Sequence, residues 1–283
     1  MNWFRPLLMM FYAPARGMSE VRERSPLAIS LLLALLAQTA YAFFTQWQFL
    51  DPLLAVRGPS IFFLILFQSV IPLLFIAVIF VPTLALLANL LERRASFGLI
   101  IQQEYASLAS TVFYAWTAAN VIAIPLVRLA RASGFEAEFF VQFQKSLSAA
   151  VNQGSILPSV AQSFADPRVQ SLTFAALAIL PLFAFWTVVG VREVFRLSAW
   201  RSVIVVVVSG ILMFVVGPTI LRLFNMVAFQ PFLLIMLFIL LRGYFSDITR
   251  GHRARASFKQ NLEAATLNPA DASAHYNLGL IHQ

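Results

Sequence analysis

Three histidines, His252, His275 and His282, are all the imidazoles this chain has, they lie together near its C-terminal end, and there is no cysteine. A nucleophilic Ser paired with a His inside an apolar layer is therefore excluded on inventory. No His-Glu-x-x-His segment sets two imidazoles on one helix face for zinc, and no glycine-rich loop is built to cradle phosphate. The missing thiols remove disulfides and thiolate metal sites. Proton-coupled carriers place ionisable groups at membrane depth, yet the centres of the long apolar stretches hold only Gln38, Gln68, Asn89 and Asn120 as large polar side chains. Hydrogen bonds between helices, at about 1 kcal/mol each, account for these four, with a substrate path as the competing reading. The inventory calls for no catalytic residue, no metal and no cofactor, and the expectation is that the chain is not an enzyme.

The elements that carry these residues are set by the apolar stretches. Between Arg168 and Arg192, and again between Arg201 and Arg222, no residue carries a charge. Each interval matches the run of roughly 20 apolar residues that a helix needs to cross a hydrocarbon core. A buried strand would explain the β-branched run at Val203 to Val208, but a strand ends within about eight residues and this run continues to Leu221. The Val, Ile, Leu and Phe residues between Ser202 and Arg222 together favour the bilayer by about 4 to 8 kcal/mol, enough to outweigh two serines and a threonine. The two blocks read as a membrane hairpin with a short basic turn. In that turn Arg192, Arg196 and Arg201 stand against Glu193 alone, which places it on the cytoplasmic side.

Composition agrees. Hydrophobic residues make up 60% of the chain and charged residues 11%, whereas soluble domains are about a quarter charged. The net charge of +8 does not point to nucleic acid, because the basic residues gather at the ends of apolar stretches, where topology and anionic headgroups explain them. The expected fold is all-α: a polytopic bundle of about six spans, over residues 27–46, 61–90, 106–127, 170–191, 202–221 and 225–243. Trp47, Tyr105, Trp200 and Tyr244 stand where aromatic rings mark the water boundary. Six spans put 14 of the 20 basic residues on the side of both termini, which is then cytoplasmic. For the last pair the alternative is a single re-entrant unit broken at Gly217-Pro218, with five spans and an external tail.

Three further segments flank or join the spans. Residues 1–25 mix Trp3, Phe4, Leu7, Leu8, Phe11 and Tyr12 with four arginines, as an amphipathic segment lying in the interface does. The rival reading, a signal peptide cleaved near Ala40-Tyr41-Ala42, meets a positive region too long and too apolar for one. In the connection 131–168, Phe135, Phe139, Phe143, Leu147 and Val151 recur at near-helical spacing. This predicts a helix on the outer surface and a loop over 152–159, with a lid as the alternative. Prolines at 72, 82, 125, 181, 218 and 231 kink their spans, either to shape the bundle or as hinges.

The transmembrane domain is expected to run over residues 26–245, and after it the composition turns polar. In residues 246–283, Asn268-Pro269 ends one helix and Ala272 starts another that carries Ala274, Tyr276, Asn277, Leu278 and Gly279. This resembles the joint between tetratricopeptide repeats, and the resemblance implies that Tyr276, Asn277, Leu278 and Gly279 belong to a surface that docks a protein partner. Since about three repeats are needed for stability, more are expected beyond Gln283. The membrane part resembles the bacterial branch of the Yip family of Ypt/Rab-interacting multispan proteins. The likeness lies in its arginine- and proline-bearing start FRPLLMMFYAPARGMSEVRERSP, its clustered spans and its hairpin, in which Asp166-Pro167 leads to an apolar span, then Val189-Gly190-Val191 and a basic turn. That resemblance implies a compact helical domain in the bacterial inner membrane. Eukaryotic relatives take part in vesicle traffic through prenylated GTPases, but their Asp-Leu-Tyr-Gly-Pro motif is absent here and no GTPase-binding residue is carried over. The combined expectation is a scaffold in the lipid bilayer that anchors a cytoplasmic docking module, with a channel, lipid scramblase or small-molecule transporter as the alternative.

Overall fold

The computed structural model describes residues 4–92, 97–155 and 157–228, and residue 266 within the tail. Among the described residues every regular element is helical: α1 (Phe4–Tyr12), α2 (Pro14–Arg24), α3 (Leu27–Thr45), α4 (Trp47–Arg57), α5 (Ser60–Phe75), a π-helical turn (Ile76–Phe80), α6 (Val81–Glu92), α7 (Phe97–Ala132), α8 (Phe135–Asn152), α9 (Pro158–Ser163), α10 (Pro167–Phe195) and α11 (Ala199–Ala228). Among the described residues five rods are long and apolar enough to cross a membrane: α3, the continuous run Ser60–Glu92, α7, α10 and α11. The expected sixth span at 225–243 lies outside the described residues beyond Ala228, and so do Tyr276, Asn277, Leu278 and Gly279.

Helix α7 is the axis. From Tyr105 to Asn120 every residue is buried, and nine of these sixteen are Ala, Ser or Thr. Such small residues let helix backbones approach closely where solvent gives no drive to associate. The polar groups of α7 turn inward: Thr111 Oγ1 donates to Leu108 O at 2.7 Å, Thr117 Oγ1 to Phe113 O at 2.8 Å, and Asn120 Nδ2 to Trp116 O at 2.8 Å. Trp116 reaches across instead, donating through Nε1 to Gln38 Oε1 on α3 at 3.0 Å.

Helices α3 and α10 make the most extensive packing on α7. The contacts fix direction. Gly190, Phe183 and Ser171 of α10 meet Thr111, Trp116 and Arg131 of α7 in turn, so these two helices run antiparallel. Gln38 and Thr45 of α3 meet Trp116 and Arg131, so α3 runs parallel to α7. A Cβ on Gly190 would sit 3.4 Å from Thr111 Cβ, which shows how near the α10 backbone comes.

The N-terminal segment is two helices, parted at Ala13 before Pro14. Proline fits the first turn of a helix but not its interior, so the amphipathic segment expected as one piece folds into a hairpin. Its tight point is Gly17, where a Cβ would stand 3.0 Å from Met10 N and 3.1 Å from Pro6 O. Met10, Met18 and Val21 are fully buried, and α2 packs on α7 and α10. Part of the apolar face expected to meet lipid is thus spent on protein, while Phe4, Leu8, Phe11 and Tyr12 stay exposed. Arg22 Nη1 donates to Glu193 O at 2.6 Å. It satisfies a carbonyl in the last turn of α10, where a helix end favours a cation. The basic turn then begins with Arg196 in the left-handed region, φ 53°, and α11 starts at Ala199.

Between Pro72 and Pro82 the rod Ser60–Glu92 widens into its π-helical turn, in which Val81 N–H bonds Ile76 O, five residues back. The next donor in that series is residue 82, a proline with no N–H to offer Ala77 O. Tyr105 supplies it: its O–H donates to Ala77 O at 2.7 Å. The first residue of the buried stretch in the axial helix thus repairs the defect its neighbour's proline creates. Replacing Tyr105 with Phe should lower unfolding stability by about 1 to 2 kcal/mol in detergent melts. That loss should shrink in a Pro82→Ala background, where the N–H returns; equal losses in both backgrounds would refute the pairing.

Candidate functional site

At the far end of the axial helix the chain reverses through Ser133-Gly134. Gly134 holds φ 78°, a conformation that glycine adopts without a Cβ penalty. The reversal sets Arg131, on the last turn of α7, against Glu136, in the first turn of α8. Arg131 Nε donates to Glu136 Oε2 at 2.6 Å, Nη2 donates to Ser171 Oγ of α10 at 2.6 Å, and Nη1 donates to the carbonyl of Thr45, the last residue of α3. One guanidinium therefore ties α3, α7, α8 and α10 together, in the fork geometry that distinguishes Arg from Lys.

The surroundings hold that clasp in place. Asp166 accepts from Arg168 N–H at 2.8 Å and so caps α10, while Gln170 Nε2 donates to Phe164 O at 2.8 Å. One turn further along, Tyr41 O–H donates to Ala175 O at 2.6 Å and fastens α3 to α10 again. Arg128 lies 5.0 Å over the Phe44 ring and Arg168 lies 5.7 Å over the Phe49 ring, both at cation–π distance.

Two cavities flank α8. A polar pocket of about 440 Å³ is lined by Gln48, Arg131, Glu136, Gln144, Gln170 and Ser171, with Phe140, Ala137, Val141 and Pro167 completing the wall. An apolar groove of about 320 Å³ on the other side is lined by Leu126, Val127, Ala130, Phe135, Phe139, Phe174, Leu177 and Ala178. The side chains of Arg131 and Glu136 are 20% and 15% exposed, sheltered yet open to the pocket. Hydrogen-bond donors, acceptors and one charge pair equip this pocket for a polar ligand. Among the described residues no group of three or more His, Cys, Asp or Glu converges to hold a metal ion.

Of the polar residues singled out at membrane depth, Gln38 makes the anticipated bond between helices. Asn120 is buried but spends its amide on its own helix, and Gln68 faces outward. Sequence places Arg131 in the outer connection and gives it no further role. A signal for that role exists in Arg131-x-x-Gly134-x-Glu136, a cation and an anion on either side of a glycine reversal. The helix expected there is α8, and the loop that follows runs to α9 at Pro158. Compared with protein-family models, with curated proteins and with solved structures, the chain matches none.

Truncating Arg131 leaves Glu136, Thr45 O and Ser171 Oγ without their donor. Arg131→Ala should cost about 1 to 3 kcal/mol, the range for leaving hydrogen-bond partners of a half-buried charged group without their donor. Arg131→Lys should recover only part of that, because the three acceptors sit at three different nitrogens of a planar fork, which the point donor of an ammonium does not reproduce. Thermal unfolding in detergent measures both, and full recovery by Lys would contradict the fork geometry.

Proposed function

We propose that this chain is an integral membrane scaffold without catalysis, crossing the bacterial inner membrane with both termini in the cytoplasm and presenting its tail as a tetratricopeptide-type docking module for a protein partner. The observation that carries this reading is the enclosure of Tyr105 to Asn120: the core of the bundle is a packed helix whose side chains serve packing and internal hydrogen bonds. Large apolar side chains stand on the outside, among them Phe63 at 76% exposure and Phe214 at 82%. An apolar exterior of this kind supports the membrane placement. Orientation follows from charge. Arg22, Arg192, Arg196 and Arg201 share the end at which α2 meets α10, and a basic short turn favours the cytoplasm.

A second reading, a channel, lipid scramblase or small-molecule transporter, is favoured by one observation. Asn120 Oδ1 and Thr187 Oγ1 are buried without a hydrogen-bond partner, as polar groups facing a transient water path are.

Two measurements separate these readings. Single cysteines placed beside Lys259 in this cysteine-free chain should label only from the cytoplasmic side, and affinity capture with the complete tail should recover a membrane partner that a tail deletion loses. Labelling from outside would reverse the topology, and identical captures would remove the docking role. Flux through liposomes that disappears on Asn120→Leu would establish the transport reading instead.

A further inference from the structure

The polar pocket beside α8 has a charge pattern that the clasp does not exhaust. A guanidinium has five N–H groups, and three of those on Arg131 are engaged by Glu136, Ser171 and Thr45. Two donors remain. Of the Glu136 oxygens, Oε2 takes Arg131, which leaves Oε1 as an acceptor. Both groups line the same 440 Å³ space, with the carboxamides of Gln48, Gln144 and Gln170 around them. A cation and an anion fixed side by side are complementary to a ligand that carries an anion and an ammonium a few bonds apart. A simple anion would meet Glu136, and a simple cation would meet Arg131.

The position of the pocket narrows the ligand. It opens where α3 ends, α7 ends and α10 begins, the level at which Trp47 is exposed and Arg128 and Arg168 lie over Phe44 and Phe49. Aromatic and cationic side chains at the ends of long apolar helices mark the headgroup layer of a bilayer. The apolar groove lies across α8 from it, with Ala130 next to Arg131 on α7 and Phe174 one turn from Ser171 on α10, and offers apolar walls to hydrocarbon chains.

We infer that this pocket is a binding site for a zwitterionic aminophosphate headgroup of the phosphoethanolamine type. The phosphate takes the two remaining N–H groups of Arg131 and the amide of Gln48 or Gln144. The ammonium donates to Glu136 Oε1. A quaternary ammonium has no N–H to give Glu136 and binds more weakly, and a glycerol headgroup offers Glu136 only neutral hydroxyl donors without a positive charge. The site rests on the membrane placement above but not on the scaffold role, since a lipid held here would serve an anchor and a scramblase alike.

The test uses the full chain, purified in detergent and stripped of lipid, with bound molecules counted by native mass spectrometry. The probes are dihexanoyl phosphatidylethanolamine, its phosphatidylglycerol analogue with the same chains, and soluble glycerophosphoethanolamine. Ethanolamine lipid should bind about tenfold more tightly than glycerol lipid, because only the ammonium adds opposite charge to its hydrogen bond with Glu136. Binding of the soluble headgroup at similar affinity identifies the free zwitterion as sufficient, whereas binding of the lipid alone identifies the lipid as the source; either supports the site. Gln48→Leu with Gln144→Leu, which leaves the clasp intact, should weaken ethanolamine lipid about fivefold or more, and Glu136→Gln should abolish the preference over glycerol lipid. If Glu136→Gln does not fold, the glutamine pair decides. Equal binding of the two lipids, or ethanolamine lipid binding untouched by the glutamine substitutions, overturns the assignment.

Discussion

A helix that is Ala, Ser or Thr at nine of the sixteen positions from Tyr105 to Asn120 offers hydrocarbon little side-chain surface but lets neighbouring backbones approach closely, and protein surrounds it. The architecture of this chain follows from that constraint. Helices α3 and α10 close two sides of α7, α6 a third, and the α1–α2 hairpin seals the end where Met18 and Val21 are buried. The two least enclosed rods, α3 and α11, are both more apolar than α7. Of the candidate spans, α7 has the lowest mean hydropathy, 1.5, and the largest buried share, 61%, whereas α11 has hydropathy 2.3 and is 22% buried. The most polar rod is thus the most enclosed, the reverse of the order expected in water.

The ends of the bundle are fixed by arginines, which differ in what they grip. Arg22 takes a carbonyl from the last turn of α10, and Arg131 takes a carbonyl from the last residue of α3, together with a hydroxyl and a carboxylate. Both use a cation where a helix terminus leaves carbonyls without partners. Between these clasps the neutral bonds Tyr41 to Ala175 and Trp116 to Gln38 set the register of three helices. The polar pocket exists because the Arg131 clasp lies at an edge, where α8 folds back across the crevice of α7 and α10 and leaves one side of the ion pair open.

Much of the fold was legible from where charges are absent. The spans expected at 27–46, 61–90, 106–127, 170–191 and 202–221 correspond to α3, the rod Ser60–Glu92, α7, α10 and α11, and each starts within a few residues of its candidate crossing. Helices α7, α10 and α11 run further than the uncharged interval. They overrun because an interval free of charge measures only a hydrocarbon crossing, whereas a helix continues until its backbone is broken, as at Gly134 and Arg196. Other features had no local signature. Helix α4 contains Asp51-Pro52 directly after an apolar stretch, which reads as a stop in sequence although the chain merely bends at Gln46 and goes on. The bond from Tyr105 to Ala77 spans 28 residues, and that from Arg131 to Thr45 spans 86. No periodicity encodes such pairs; they follow from the parallel and antiparallel placements around α7.

The enclosure of α7 is open to direct measurement. In membranes, a carbene photolabel that partitions into hydrocarbon marks residues that touch lipid, and the marked positions can be read by peptide mass mapping. Heavy labelling is expected at Leu32, Leu36, Phe63, Phe67, Ile211 and Phe214, which are exposed on the outer rods, and none from Tyr105 to Asn120. Labelling of that buried stretch at the level of the outer rods would mean that α7 faces lipid and would contradict the account at its base.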